Sequence, residues 1–158
     1  MVLEKSGRCI MAGLRQPDPF LASGCQYEDK CLVEGRRGCW TTKIVYSLVC
    51  GICGAQYVGT SGCSGHKRAK EHQQEWLSGS SANPMSKHWT ISHGGEDRAG
   101  WERPFSMRIL GAGYGSNLER YIQEAMDIKT VAEGDGEALN TKGEWGRVAL
   151  RRLAVVAE

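Results

Sequence analysis

The sequence predicts one domain of mixed α/β type, α+β in its ordering, with a few short strands and helices around a shared core. Three observations carry that expectation. A β-branched apolar run at residues 43–50 is followed, across a Cys-Gly-Ile-Cys-Gly turn, by a second short run at 55–59, the pattern of a hairpin. Three later stretches suit helices: a polar one over 64–76, one opened by Pro84, and one opened by Ser116-Asn-Leu-Glu119. Finally, 158 residues is the length of one domain. Such a chain buries about two-thirds of its unfolded surface, enough for a real core.

The elements follow in order. Residues 1–42 are rich in Gly, Pro and Cys and show no sustained period, so they read as an irregular arm that a metal could tie down. Residues 43–50 form a buried strand, 50–54 a turn and 55–59 its partner strand. The polar helix over 64–76 has a start weakened by Gly62 and Gly65. Residues 80–84 are a loop, and Pro84 suits the first turn of a helix that carries His88 and stops at Gly94-Gly95. Residues 105–110 read as a third strand. The capping box at Ser116 and Glu119 opens a helix that gathers Leu118, Tyr121, Ile122 and Ala125 on one apolar face, the face a globular helix turns to the core. A Gly/Glu-rich loop at 133–137 leads to Leu139-Asn140, and residues 145–156 suit a basic amphipathic closing helix. The chain thus divides into an arm (1–42), a central domain (43–143) and a basic C-terminal helix (144–158), without internal repeats.

The charge balance sets limits on function. Twenty basic and 18 acidic residues leave a net +2, not the footprint of a sequence-blind nucleic-acid coat. Contact with nucleic acid would come from local patches: the run 66–70, with Lys67, Arg68 and Lys70, and the tail arginines Arg147, Arg151 and Arg152. No stretch approaches the ~20 apolar residues of a membrane span, so a membrane is not among the expected partners. The N-terminus lacks the apolar run of a secretory signal, which points to an intracellular protein.

Seven cysteines in that setting suggest metal rather than disulfides, and an odd count leaves one over in any all-disulfide scheme. Cys50-x2-Cys53 lies in a turn, each Cys followed by Gly, the shape of a zinc knuckle. His88-x4-His93 has a spacing usual for such sites. Five positions apart on an unbroken helix point about 140° away from each other, so both can reach one ion only if the helix ends before His93. Four protein ligands would make this zinc structural. Cys25, Cys31 and Cys39 could hold a second zinc with Cys9 or Cys63, or be thiols of a loose arm. An extracellular disulfide domain is the opposing reading and predicts no zinc.

Ile44-Val45-Tyr46 and Tyr57-Val58-Gly59 resemble the two signature strands of the GIY-YIG endonucleases. Arg68-Ala-Lys-Glu-His72 is similar to that family's Arg-x3-His helix, Ile122-Gln-Glu124-Ala-Met-Asp-Ile128 to its metal-binding Glu helix, and Leu139-Asn140 to its late Asn. The set runs in the family's order across residues 44–140. It resembles most the endonuclease domains of Penelope-like retroelements, which carry Cys-x2-Cys between the signature strands and a His pair downstream. This sequence departs from the pattern at Ile44, where the first signature has Gly, and in the extra Gly and Cys63 between Gly59 and Arg68.

The resemblance implies a three-stranded, mostly antiparallel sheet flanked by helices, with an inserted zinc knuckle. It also implies a metal-dependent DNA endonuclease leaving 5′-phosphate and 3′-hydroxyl ends. In a retroelement such an enzyme nicks target DNA in the nucleus for a reverse transcriptase domain, so DNA and that domain are the implied partners. Glu124 would offer an oxygen to Mg²⁺ or Mn²⁺, with phosphate and water completing the shell. Arg68 would grip phosphate with its planar fork, and His72, four residues on, shares its helix face. A free Tyr titrates near 10 and a His near 6.5, so either can be the base in principle. The expected roles are Tyr57 at the attacking water, Tyr46 in support, His72 relaying the proton and Asn140 orienting a Tyr or the metal shell. The competing reading is a non-catalytic, zinc-dependent nucleic-acid-binding module that keeps the fold.

Overall fold

The computed structural model describes residues 31–34, 39–95, 98–101 and 103–140. Cys9, Cys25, the tail arginines and the helix expected over 145–156 lie outside them. The elements run β1 (Ile44–Cys50), β2 (Gln56–Ser61), α1 (Gly65–Leu77), α2 (Pro84–Ser92), a 3₁₀ turn (Arg98–Gly100), β3 (Phe105–Gly111) and α3 (Asn117–Glu133). The three strands form an antiparallel sheet in the order β2-β1-β3, so the architecture is α+β.

β1 is the central strand, and its unbroken apolar run has a simple cause: both of its faces are covered. Ile44, Tyr46, Leu48 and Cys50 point to one side, into a core with Phe105, Met107, Trp76, Met85 and Trp89. Val45 points to the other, where it meets Val58 and Ile128 of α3. Helices α1 and α2 thus lie on one face of the sheet and α3 on the other.

Each helix starts where a side chain can accept its orphan N–H groups. Ser64 caps α1 and accepts from Lys67 N, which offsets the weak glycine at the first helical position. Asn83 caps α2 in front of Pro84. At α3 the Ser116 hydroxyl accepts from Glu119 N, while Glu119 reaches back to Gly115 N at 2.9 Å. α1 and α2 are held together by stacked indoles and one arginine. Trp76 and Trp89 meet edge to face at 5.3 Å, and Trp89 meets Trp101 at 5.2 Å. Arg98 donates to Trp76 O, Ser86 Oγ, Ser86 O and Thr90 Oγ1, spanning both helices.

Neither sheet edge is bare. Residues 32–34, expected to be part of an irregular arm, pair in parallel with β3: Met107 N donates to Leu32 O and Glu34 N to Met107 O, each at 2.7 Å. Glu34 also takes a hydrogen bond from Arg108 Nε at 2.6 Å. On β2, Gln56 N donates to Glu137 O and Leu139 N to Gln56 O. Among the described residues no helix is long and apolar enough to cross a membrane.

One expectation is corrected. The face of α3 that meets the sheet carries the buried Arg120 and Ile128, with Val131 packed beside them. Of the four residues expected on that face, Leu118 and Ile122 are exposed, Ile122 at 50%, and Tyr121 and Ala125 are half-buried. Hydrophobic spacing found the helix, but its rotation is set by two particular contacts: Arg120 Nη1 donating to Ser61 O, and Ile128 filling the space over Val45 and Val58. Ile128→Ala is therefore expected to cost about 2–5 kcal/mol. Ile122→Ala is expected to cost less than about 1 kcal/mol. Urea midpoints of the two variants check this, and equal losses would mean that α3 packs on its Leu118–Ile122 side.

Candidate metal centre and catalytic cluster

The turn between β1 and β2 is built for two thiolates. Cys50 N donates to Ala55 O and Gly54 N to Cys50 O, a tight reversal in which Gly54 has φ +75, a conformation glycine adopts without strain. Gly51 is glycine for another reason: a Cβ there would stand 3.1 Å from Arg103 O. α2 brings the histidines. It ends at Ser92, and His93 is its C-cap with φ −126 and ψ 15, so the helix does stop in time for His93 to turn back beside His88.

The four side chains meet. Cys53 Sγ lies 3.2 Å from His88 Nε2 and 3.6 Å from His93 Nε2, and Cys50 Sγ lies 3.4 Å from His93 Nε2. One donor atom from each of the four lies within 4.8 Å of every other. Zinc bonds of about 2.3 Å to sulfur and about 2.0 Å to nitrogen place tetrahedral S and N ligands about 3.5 Å apart, which these separations match. Cys50, Cys53, His88 and His93 are therefore a set that could hold a zinc ion. Burial lowers the pKa of His88, with Glu137 opposing and His93 reinforcing, so the imidazole is held in the neutral form that binds metal. Its Nδ1 faces Ser92 Oγ at 3.3 Å and Glu137 Oε1 at 4.0 Å, partners of the kind that orient a ligand ring.

A second cluster centres on the Tyr46 hydroxyl. Tyr46 is buried, its ring crossing from β1 beneath β2, where a Cβ on Gly59 would come within 2.8 Å of the hydroxyl oxygen. Only glycine leaves that space. Arg68 Nε donates to the hydroxyl at 3.1 Å and His72 Nε2 lies 2.8 Å from it. The ring state of His72 follows from its neighbours. Ser86 N–H donates to Asn83 Oδ1 at 2.9 Å, so the other end of that amide is the NH₂. It donates to Glu75 Oε2 at 2.8 Å and faces His72 Nδ1 at 3.0 Å. Nδ1 thus accepts, Nε2 carries the hydrogen, and His72 donates to Tyr46.

Burial, with the Arg68 charge second, pushes His72 down to about 3. Burial also raises Tyr46 above its ordinary value; Arg68 opposes this by charge and hydrogen bond, and the carboxylates of Glu124 and Glu75 reinforce it. Both groups are neutral near pH 7. Arg68 is half-buried. Its Nη1 pairs with Glu71 at 2.9 Å, and its Nη2 has no hydrogen-bond partner among the described residues.

The remaining expected residues take these positions. Glu124 is half-buried on α3, one helical turn after the buried Arg120. Tyr57 is half-buried beside Gly59, and it lines a cleft of about 410 Å³ with Lys87, His88 and Glu137. Lys67 is half-buried and Lys70 exposed on α1, near Arg68. Asn140 clamps β2: its Oδ1 accepts from Val58 N at 2.7 Å and its Nδ2 donates to Val58 O at 3.0 Å. Asn83, Glu137 and Arg98 escaped the sequence reading. Nothing local in the sequence joins Asn83 to His72. No family model, curated protein or solved structure matches the chain.

Two outcomes follow. Cys53→Ser is expected to lower the zinc content by one equivalent per chain, measured by elemental analysis, and to lower the melting temperature as a chelator does to wild type. The second concerns pH. An unfolded His72 takes its proton near 6.5, the folded one only near 3, so between those values the unfolded chain binds one proton more. Stability from this group is complete above about pH 6.5 and falls as the pH drops, by up to about 1.4 kcal/mol per pH unit. His72→Gln is expected to flatten the decline of unfolding free energy from pH 6.5 to about 5; parallel curves would mean that His72 titrates normally.

Proposed function

We propose that the protein is a metal-dependent DNA endonuclease of the GIY-YIG type, carrying a structural zinc. The observation that carries the reading is the convergence of Arg68 and His72, four residues apart on α1, upon the hydroxyl of Tyr46 on β1, under Gly59 of β2 and within the field of Glu124 on α3. Those residues come from every part of the motif series except the late Asn.

In this reading Arg68 is the phosphate grip. Tyr46 and Glu71 hold its Nε and Nη1, which leaves Nη2 for a phosphate oxygen. Tyr46 stays a neutral phenol and serves as the anchor. His72 acts as a hydrogen-bond donor to that anchor instead of relaying a proton, because its Nδ1 lone pair is engaged by Asn83 and its pKa is near 3. Tyr57, half-buried on the same strand as Gly59, is left as the candidate to meet the attacking water. Asn140 supports Tyr57 by clamping the adjoining Val58 backbone. Glu124 offers one hard oxygen to Mg²⁺ or Mn²⁺; phosphate and water would fill the rest of the shell. That ion, when bound, would neutralise charge on the phosphate and the leaving oxygen. Lys67 and Lys70 stand on the same helix as Arg68 and suit backbone phosphates.

Purified protein is expected to nick supercoiled plasmid with Mg²⁺ or Mn²⁺. Glu124→Ala should reduce the rate at least about a hundredfold while leaving the circular dichroism spectrum unchanged. Arg68→Lys should lose most activity too, since one ammonium replaces a fork already anchored at two corners. DNA binding without cleavage under any divalent metal would sink the nuclease reading and favour the binding module.

A further inference from the structure

Outside both clusters, a third group of metal-type donors lies where the arm meets α1. Cys31 and Cys39 are buried, at 6% and 1% exposure, with their Sγ atoms 3.1 Å apart. His66 Nδ1 stands 3.6 Å from Cys31 Sγ. The backbone fixes this meeting: His66 N donates to Cys39 O at 2.8 Å, Gly65 N donates to Thr41 O at 3.1 Å, and the Trp40 ring packs against the His66 ring at 5.8 Å. We propose that Cys31, Cys39 and His66 are ligands of a second zinc ion, distinct from the one at Cys50, Cys53, His88 and His93.

The chemistry favours a cation over the alternatives. A thiol is a weak donor and a weak acceptor, so two buried thiols and an imidazole gain little from one another without an ion between them. A disulfide needs a sulfur separation of about 2.05 Å and would leave His66 without a part in the cluster. The sulfur-to-nitrogen distance equals the 3.6 Å between Cys53 and His93 in the first site. The two sulfurs would open by about 0.6 Å, and the His66 ring would swing toward Cys39, to reach tetrahedral spacing around zinc. A fourth ligand, protein or water, completes such a shell. The site would staple residues 31–39 to the first turn of α1, two residues before Arg68, and it does not depend on the nuclease reading.

The test is the zinc content of the full chain, purified under reducing conditions without added chelator. Wild type is expected to hold two equivalents per chain. Cys39→Ser and Cys53→Ser should each hold one, and the double variant none. Because Cys39 is buried, His66 gives an independent check: His66→Ala should lose one equivalent and His66→Cys, which restores a ligand, should keep it. A wild-type content of one equivalent that Cys53→Ser abolishes and Cys39→Ser leaves intact overturns the proposal. So does a Cys31–Cys39 disulfide found by peptide mass mapping of that preparation.

Discussion

A phenol buried in a protein core needs hydrogen-bond partners, because an unmet polar group there costs several times what a satisfied one contributes. Tyr46 finds its partners on α1, and this need ties the elements together. Its hydroxyl receives Arg68 and, on the argument from neighbours, His72. His72 in turn depends on Asn83, whose other amide atom caps α2. A line of polar contacts therefore runs from the start of α2, through the middle of α1, to the central strand. Moving any member leaves a buried donor or acceptor without a partner, so the line sets the rotation of α1 and its distance from the sheet.

The same line separates support from chemistry. Groups with depressed or raised pKa values cluster at functional sites, but a shift alone does not make a base. His72 is neutral, with both ring nitrogens engaged, and Tyr46 is neutral and enclosed. Tyr46 and Glu71 hold Arg68 in one rotamer, and a guanidinium so fixed can meet a phosphate without first losing side-chain freedom. Arg98 does similar work further along, fastening Trp76 of α1 to Ser86 and Thr90 of α2. The Cys/His set sits at the far end of α2 and closes the β1–β2 turn against that helix. The two clusters thus share a scaffold.

Much of this was legible in the residues alone. The β-branched run of β1, the turn glycines, the helix starts at Pro84 and Ser116, and the pairing of Cys50-x2-Cys53 with His88-x4-His93 are local patterns with local causes. A cap needs only the residues next to it, and a knuckle needs only a turn that glycine permits. Even the release of His93 from its helix was readable, because Gly94-Gly95 follow it.

What tertiary structure decided are the choices with more than one local solution. The spacing of Leu118, Tyr121, Ile122 and Ala125 describes an amphipathic helix, but Arg120 on Ser61 and Ile128 over Val45 and Val58 turn Leu118 and Ile122 outward. Asn140 is expected to orient a Tyr or a metal shell, yet its amide substitutes for a strand partner of Val58, 82 residues away. Asn83 reads as part of a loop, and only the packing of α2 on α1 gives its amide to His72. His66 reads as part of a basic run, and only the return of residues 39–41 along α1 sets it beside Cys31. Sequence determined which segments fold and which residue types can do metal and phosphate chemistry, because those depend on neighbours in the chain. Partners for buried polar groups were decided in three dimensions, because each such group must be satisfied by whatever the packing brings near it.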